Sequence, residues 1–335
     1  MKIIEKILRL KKILLLIPIL TQIEVWAVPT KLKTALIAPE GTTLAKALNN
    51  LNTEVKKITK DQVSFKFYFG GVSGDEPDVL RKIHSKQLQG SFFTGKTLGD
   101  IESNIRVLEL PFNFVKNPAK KSSVVQALSK DFEDSLLKKG FVTLGFYEVG
   151  DVYLVSTKRV ANLKELQGIK IWFWEGDQLV MSMMKQLGCQ VVPLALPDVL
   201  SGLSNGIIEA SYAPPLAILA LQWNKKIKYL VNTPAAYSVG ALVITKSEWD
   251  KIPKDQQIQI KAISEKISFE ANAKAKIDND MALKQIKQSG VEFIEFPKKE
   301  MELTQQIRKK VIDDLVKQKY LSESFIKKLE TQLAK

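Results

Sequence analysis

Apolar positions along this chain follow two periods that take turns. A short apolar run at 33–38 (KTALIA) is followed, over 42–58, by Leu44, Ala47, Leu48, Leu51, Val55 and Ile58 at helical spacing. The segment 63–69 (VSFKFYF) alternates sides with aromatic and β-branched residues, as a strand does, and Gly70-Gly71 ends it. A short helix through Leu80, Ile83 and Leu88 then leads to an apolar strand at 91–94. The predicted order is β-α-β-α-β, which implies a mainly parallel sheet covered by helices on both faces.

The pattern then repeats. Over 122–139, Val124, Val125, Leu128, Phe132 and Leu136 share a helical face, and Gly140 supplies the stop. Strands are predicted at 141–147, 152–156, 169–174, 191–194 and 208–213, with helices over 178–187 and 197–204 among the last three. Two such units predict two α/β lobes with a cleft between them, where ligands usually bind. A helical pattern over 254–289 would run roughly 50 Å at 1.5 Å per residue, long enough to bridge both lobes. A strand at 291–296 and further helices complete the chain.

Composition changes this picture in two ways. With 45% hydrophobic residues there is apolar material for two packed units. One cysteine, Cys189, and one histidine, His84, leave no internal disulfide and no Cys/His zinc site, so no metal and no cofactor is expected. The sequence also lacks a G-x-S-x-G elbow, an H-E-x-x-H helix, a phosphate-binding loop and a dinucleotide fingerprint, which argues against an enzyme.

The net charge of +14 invites a nucleic-acid partner, but its distribution does not support one. Residues 1–27 carry Lys2, Lys6, Arg9, Lys11 and Lys12 ahead of an apolar run broken by Pro18, and they end in Val25-Trp26-Ala27. This is expected to be a Sec-type signal peptide cut after Ala27, the alternative being a retained anchor, and no lipobox cysteine follows it. Its removal leaves about +11, spread as lysines beside Glu and Asp on helix faces. The folded part is therefore expected in the periplasm, with no nucleic acid bound.

Several strings, in order, resemble the extracytoplasmic solute-binding proteins of TRAP transporters, the family typified by the dicarboxylate-binding component. They are 38–42 (APEGT), 110–112 (LPF), 162–171 (NLKELQGIKI), Leu187-Gly188 with 192–194 (VPL), 203–209 (LSNGIIE), 249–256 (WDKIPKDQ) and 289–291 (SGV). The resemblance covers essentially the whole chain from Lys31 onward. It implies the class II periplasmic-binding-protein fold, with two α/β lobes, a central cleft and a long bridging helix. The expected division is lobe I over 31–150 plus about 238–255, lobe II over 151–237, the bridging helix over 254–289, and a C-terminal strand and helices over 290–335. The partners it implies are a small-molecule ligand and the small and large membrane subunits of a TRAP permease. Pairing of two copies through the C-terminal helices is left open.

The departures from the family bear on the ligand. Most members hold a carboxylate with an arginine at the end of the strand where this chain has Trp172. A second arginine is common where this chain has Val152, and an asparagine where it has Ala213-Pro214-Pro215. Three polar positions have thus become apolar, and a guanidinium is the group whose geometry suits a carboxylate. An apolar, amphipathic or uncharged ligand is expected. Trp172 and Trp174 share one face of a strand and are candidates for an aromatic wall. Tyr212, Ala213, Val152, Tyr237, Met181 and Glu40 complete the candidate ligand-binding set, with Trp223, Met183 and Met184 behind them. Glu175 and Asp177 read as solvated turn residues. A receptor for a neutral or zwitterionic polar solute, and a lipid-handoff or signalling module without a permease, remain alternatives.

Overall fold

A computed structural model describes residues 29–297 and 299–335. The leader expected over 1–27 lies outside the described residues. In chain order the elements are β1 Thr30–Ala35, α1 Thr43–Ile58, β2 Val63–Tyr68, α2 Glu76–His84, β3 Gly90–Thr94 and α3 Gly95–Ile101. Next come α4 Lys121–Lys138, β4 Phe141–Ser156, β5 Lys170–Phe173, α5 Gln178–Leu187, β6 Gln190–Pro193, α6 Val199–Ser204, β7 Ala210–Ala213 and α7 Pro215–Ala220. The chain closes with β8 Tyr229–Val231, β9 Ala236–Thr245, α8 Lys246–Trp249, α9 Lys254–Gln288, β10 Glu292–Ile294, α10 Glu300–Lys317 and α11 Glu323–Ala334.

Local chemistry accounts for the element ends. Thr42 caps α1 by accepting from Ala45 N, and the buried face of that helix is Ala45, Leu48, Leu51 and Val55. Asp75 caps α2 through Glu76 N, and Asp177 caps α5 through Val180 N. Both aspartates sit where an exposed helix N-terminus needs an acceptor.

The strands form one path in the order β2-β1-β3-β9-β4-β7-β5-β6. At one end β1 pairs in parallel with β2 and β3, and at the other β5 pairs in parallel with β6 and β7. The centre is antiparallel, β3 to β9, β9 to β4 and β4 to β7. The sheet is thus mixed, where the sequence pattern suggested a mainly parallel one. Two parallel α/β units, the two lobes of a periplasmic-binding fold, meet at the β9–β4 ladder.

The strand β4 is a single element of 16 residues, where the pattern predicted separate strands at 141–147 and 152–156. It pairs with β9 from Phe141 to Val152 and with β7 from Tyr153 to Ser156. Its register slips between Thr143 and Phe146 and again between Glu148 and Gly150, so the alternation of sides lapses while the ladder continues. The strand β9 went unread because it is buried almost throughout and shows no alternation.

The bulges leave backbone groups that α9 satisfies. Asn272 Oδ1 accepts from Glu148 N at 2.8 Å and its amide donates to Phe146 O at 3.2 Å. Two turns on, Asn279 donates to Val149 O at 2.9 Å and accepts from Leu216 N at 3.1 Å. The same 35-residue helix buries Ile260 and Ile267 in the cluster around α1, and Ile286 in the cluster around Trp172.

Gly150 has φ +127°, and a Cβ there would come within 2.7 Å of Asn279 Nδ2. Gly150→Ala is expected to destabilise the protein by about 2 kcal/mol or more, because the backbone is strained and Asn279 is displaced. Urea unfolding of the two proteins measures the difference.

Candidate functional site

A cavity of about 270 Å³ lies between the two units, walled by the turn after β1, the start of α1, β3, β4, β5, α5, β7, α7, the start of β9 and the middle of α9. Its surface is mostly carbon. Trp172 is the centre of the aromatic wall: its ring lies 4.9 Å from Tyr212 in a stacked arrangement, 5.7 Å from Trp174, and 5.7 Å from the edge-on Trp223. The Trp172 indole donates to Leu194 O at 3.0 Å, which fixes the ring without using a cavity-facing acceptor. The methionines 183 and 184, from one face of α5, and Leu216 and Ala217, from α7, extend the apolar lining.

Of the residues expected from sequence, Trp172, Trp174, Tyr212, Ala213 and Val152 line this cavity. Three do not. Glu40 is exposed in the turn after β1, while its neighbours Pro39 and Thr42 reach the wall. Tyr237 is buried at 8% exposure, packs edge-on against Phe114 and donates its hydroxyl to Glu148. Met181 is 39% exposed on the outer face of α5, two residues from the inward Met183. Helical spacing separates these methionines, so a run of Met in sequence marks both faces.

Of the two turn carboxylates, Glu175 is exposed as expected and Asp177 is not. Asp177, taken as a solvated turn residue, is 4% exposed and forms an ion pair with Arg106 at 3.0 Å. Arg106 also meets Glu109 at 3.0 Å, and Glu109 accepts from Val239 N at 3.1 Å. Burial works against the guanidinium charge, but Asp177 and Glu109 outweigh it and hold Arg106 above its ordinary range. Burial pushes the Glu109 carboxyl up, against the pull of Arg106. Arg106 was not singled out in the sequence. The available signal was an arginine, one of five in the chain, inside the apolar run Ile105 to Leu108 with a glutamate three residues on.

The five acidic and basic side chains on the wall are each paired with a neighbour, while the Tyr147 and Tyr212 hydroxyls are not. Lys96 pairs with Asp100 at 2.7 Å, Arg106 with two carboxylates, and Glu148 accepts from Tyr237 and from Ser122 at 2.7 Å. Two cations face three carboxylates, and neither cation is free for an incoming acid. Among the described residues no cluster of His, Cys, Asp and Glu is arranged to hold a metal ion. Burial pushes the Cys189 thiol up to about 12, which leaves little thiolate at neutral pH.

Two aspartates tie the lobes together in the same way. Asp177, on the β5–α5 side, caps its own helix with Oδ1 and takes Arg106 with Oδ2. Asp75, on the β2–α2 side, caps its own helix with Oδ1, while Oδ2 accepts the Trp174 indole at 2.9 Å and Leu196 N at 3.4 Å. Each aspartate thus caps its own helix with one oxygen and with the other holds a residue distant in sequence.

Residues 34–319 match the model of the bacterial extracellular solute-binding proteins, family 7. A solute-binding protein of Chromohalobacter salexigens is 25% identical over 239 residues, 71% of this chain and 70% of that one. The 2,3-diketo-L-gulonate-binding periplasmic protein of Escherichia coli is 22% identical over 250 residues, 74% and 76% of the two chains. Among solved structures, a TRAP periplasmic solute-binding protein from Desulfovibrio salexigens with bound orotic acid superposes with a TM-score of 0.85 at 17% identity, covering 91% of this chain and 99% of that one. Another, from Chromohalobacter salexigens with bound D-glucuronate, gives 0.82 at 22% identity, covering 90% and 98%. At these identities the likeness to the solved structures is one of fold.

Two outcomes follow from the cross-cleft contacts. A double-mutant cycle of Asp75→Asn and Trp174→Phe, read by urea unfolding, is expected to give a coupling of about 1.5–3 kcal/mol, the range for a hydrogen bond to a charged acceptor. Glu76, buried beside Asp75, has its carboxyl pushed up to about 7 by desolvation, from an ordinary 4.5. A carboxyl raised in the folded state favours folding while protonated. Stability is therefore expected to be fullest below about 4.5 and to decline as the pH rises to about 7, and Glu76→Gln should flatten that slope in thermal melts.

Proposed function

Since the chain belongs to the bacterial extracellular solute-binding proteins of family 7, we propose that it is a periplasmic receptor for an apolar or amphipathic, uncharged ligand. The receptor closes its cleft over the ligand and delivers it to a TRAP-type permease of small and large membrane subunits. The observation that carries the ligand class is the wall itself. Where a carboxylate ligand needs an unpaired cation, this cavity offers Trp172 stacked on Tyr212, and its two cations are already paired. A dry acid placed there would meet three carboxylates on the wall, Glu109, Glu148 and Asp177.

The orotic acid and D-glucuronate bound in the solved relatives favour a second reading, an acidic solute. That reading requires a cation to leave its partner on binding. Leaving Asp177 unpaired costs several kcal/mol while it stays buried, whereas Asp100, about a third exposed, is released at lower cost. An apolar body instead gains about 25 cal/mol for each Å² of surface it removes from water.

Displacement of an environment-sensitive aromatic dye, with thermal shift as a second readout, distinguishes the two. Neutral aromatic and alkyl compounds are expected to compete with the dye and raise the melting temperature, while D-glucuronate and succinate leave both unchanged. Trp172→Arg is expected to weaken the apolar compounds at least tenfold. Tight binding of D-glucuronate or succinate by the unaltered protein, with no response to apolar compounds, would overturn the assignment.

A further inference from the structure

One polar group of the cavity keeps hydrogen-bonding capacity that its neighbours leave unused. Lys96, in the first turn of α3, lines the cavity and keeps 8% of its side-chain surface accessible. Its ammonium has three protons to give and makes one hydrogen bond, to Asp100 Oδ2 at 2.7 Å. The turn between β5 and α5 leaves room beside it. Gly176 is exposed and has no side chain; a Cβ there would lie 3.9 Å from Lys96 Nζ, with no other atom beyond its chain neighbours within 4 Å. The ammonium therefore borders open space and is not sealed in the core. Gly176 follows Trp174 by two residues, so this donor stands at the Trp174 end of the aromatic wall.

We propose that Lys96 Nζ is the polar anchor of the cavity, for a ligand with an apolar body and one uncharged hydrogen-bond-accepting head, such as a ketone, ester or amide carbonyl. The inference rests on the apolar-ligand reading above and adds which end of the ligand meets which residue. An ammonium only donates, so the head must accept. Charge decides between a neutral head and an anion. Asp100 already balances Lys96, and Asp177 with Glu109 more than balances Arg106, so a carboxylate would add to an excess of negative charge. A carbonyl takes a second ammonium proton while Lys96 stays paired with Asp100. With the head beside the exposed Gly176, the body runs inward along Trp174 and Trp172. Because Asp100 is 34% exposed, water meets part of its charge, and the anchor does not depend on a fully buried ion pair.

Three probes of nearly equal shape test this by isothermal titration calorimetry: 2-ethylnaphthalene, which has no acceptor, 2-acetylnaphthalene, with a neutral one, and 2-naphthoate, with an anionic one. The ketone is expected to bind about tenfold or more tightly than the hydrocarbon, and also more tightly than the carboxylate. Lys96→Met keeps the length of the side chain without its ammonium, and should reduce the ketone's advantage to about threefold or less with hydrocarbon affinity unchanged. Asp100→Asn removes the charge that balances Lys96, and should tighten 2-naphthoate by about tenfold. In infrared spectra the carbonyl stretch of the ketone bound to the unaltered protein should lie below its position in a hydrocarbon solvent, and should return toward that position in Lys96→Met. Thermal melts identify which variants are folded, and the stretch in the unaltered protein decides the matter if neither is. The anchor is wrong, while the apolar-ligand reading stands, if ketone and hydrocarbon bind equally, if the advantage persists in folded Lys96→Met, if 2-naphthoate is unmoved in folded Asp100→Asn, or if the carbonyl stretch is unshifted. If the carboxylate binds the unaltered protein best, the uncharged head and the uncharged-ligand reading both fail. If none of the three binds, the apolar-ligand reading fails and the anchor fails with it.

Discussion

The interaction that most constrains the candidate site is the ion pair between Arg106 and Asp177. Both groups are almost fully buried, and charges so placed are tolerable only when paired and hydrogen-bonded. The pair joins two segments 71 residues apart at the wall of the cavity. It does not add much net stability, but it fixes how those segments sit against each other.

Asp75 repeats the device from the other side. Its hydrogen-bonded partner, the Trp174 indole, also forms part of the cavity wall. Because both aspartates are helix caps, their positions are set by α2 and α5. Behind them, Asn272 and Asn279 on α9 hold the bulged segment of β4 that both lobes share. Binding wall, aspartate contacts and shared strand are thus mechanically continuous.

Much of the fold was legible because apolar spacing reports which face is buried. The helix over 43–58, the helix closed by Gly188 and the long helix that opens after Pro253 fall within a residue or two of expectation. The unbroken β4 was not legible, since its bulges at Gly145 and Gly150 interrupt the alternation that reveals a strand. The site was half legible for the same reason. Trp172 and Trp174 share a face by strand geometry, whereas Met181 and Met183 do not share one on a helix. Arg106 was missed because its partner Asp177 lies 71 residues away, and the local apolar run with Glu109 three residues on indicates burial without naming that partner.

The carbon wall around Trp172 has a consequence for how finely such a receptor can discriminate. Hydrogen-bonding sites reject a wrong group steeply, because a mismatch strands a buried partner. A hydrophobic wall does not, since one methylene more or less changes the free energy by about 1–3 kcal/mol. On the proposed apolar-ligand reading, selectivity at this wall is graded: homologues of neighbouring length or branching compete with one another, and bulk alone sets the upper limit. A permease supplied by such a receptor would take up a family of compounds, in proportions that follow what the surroundings supply.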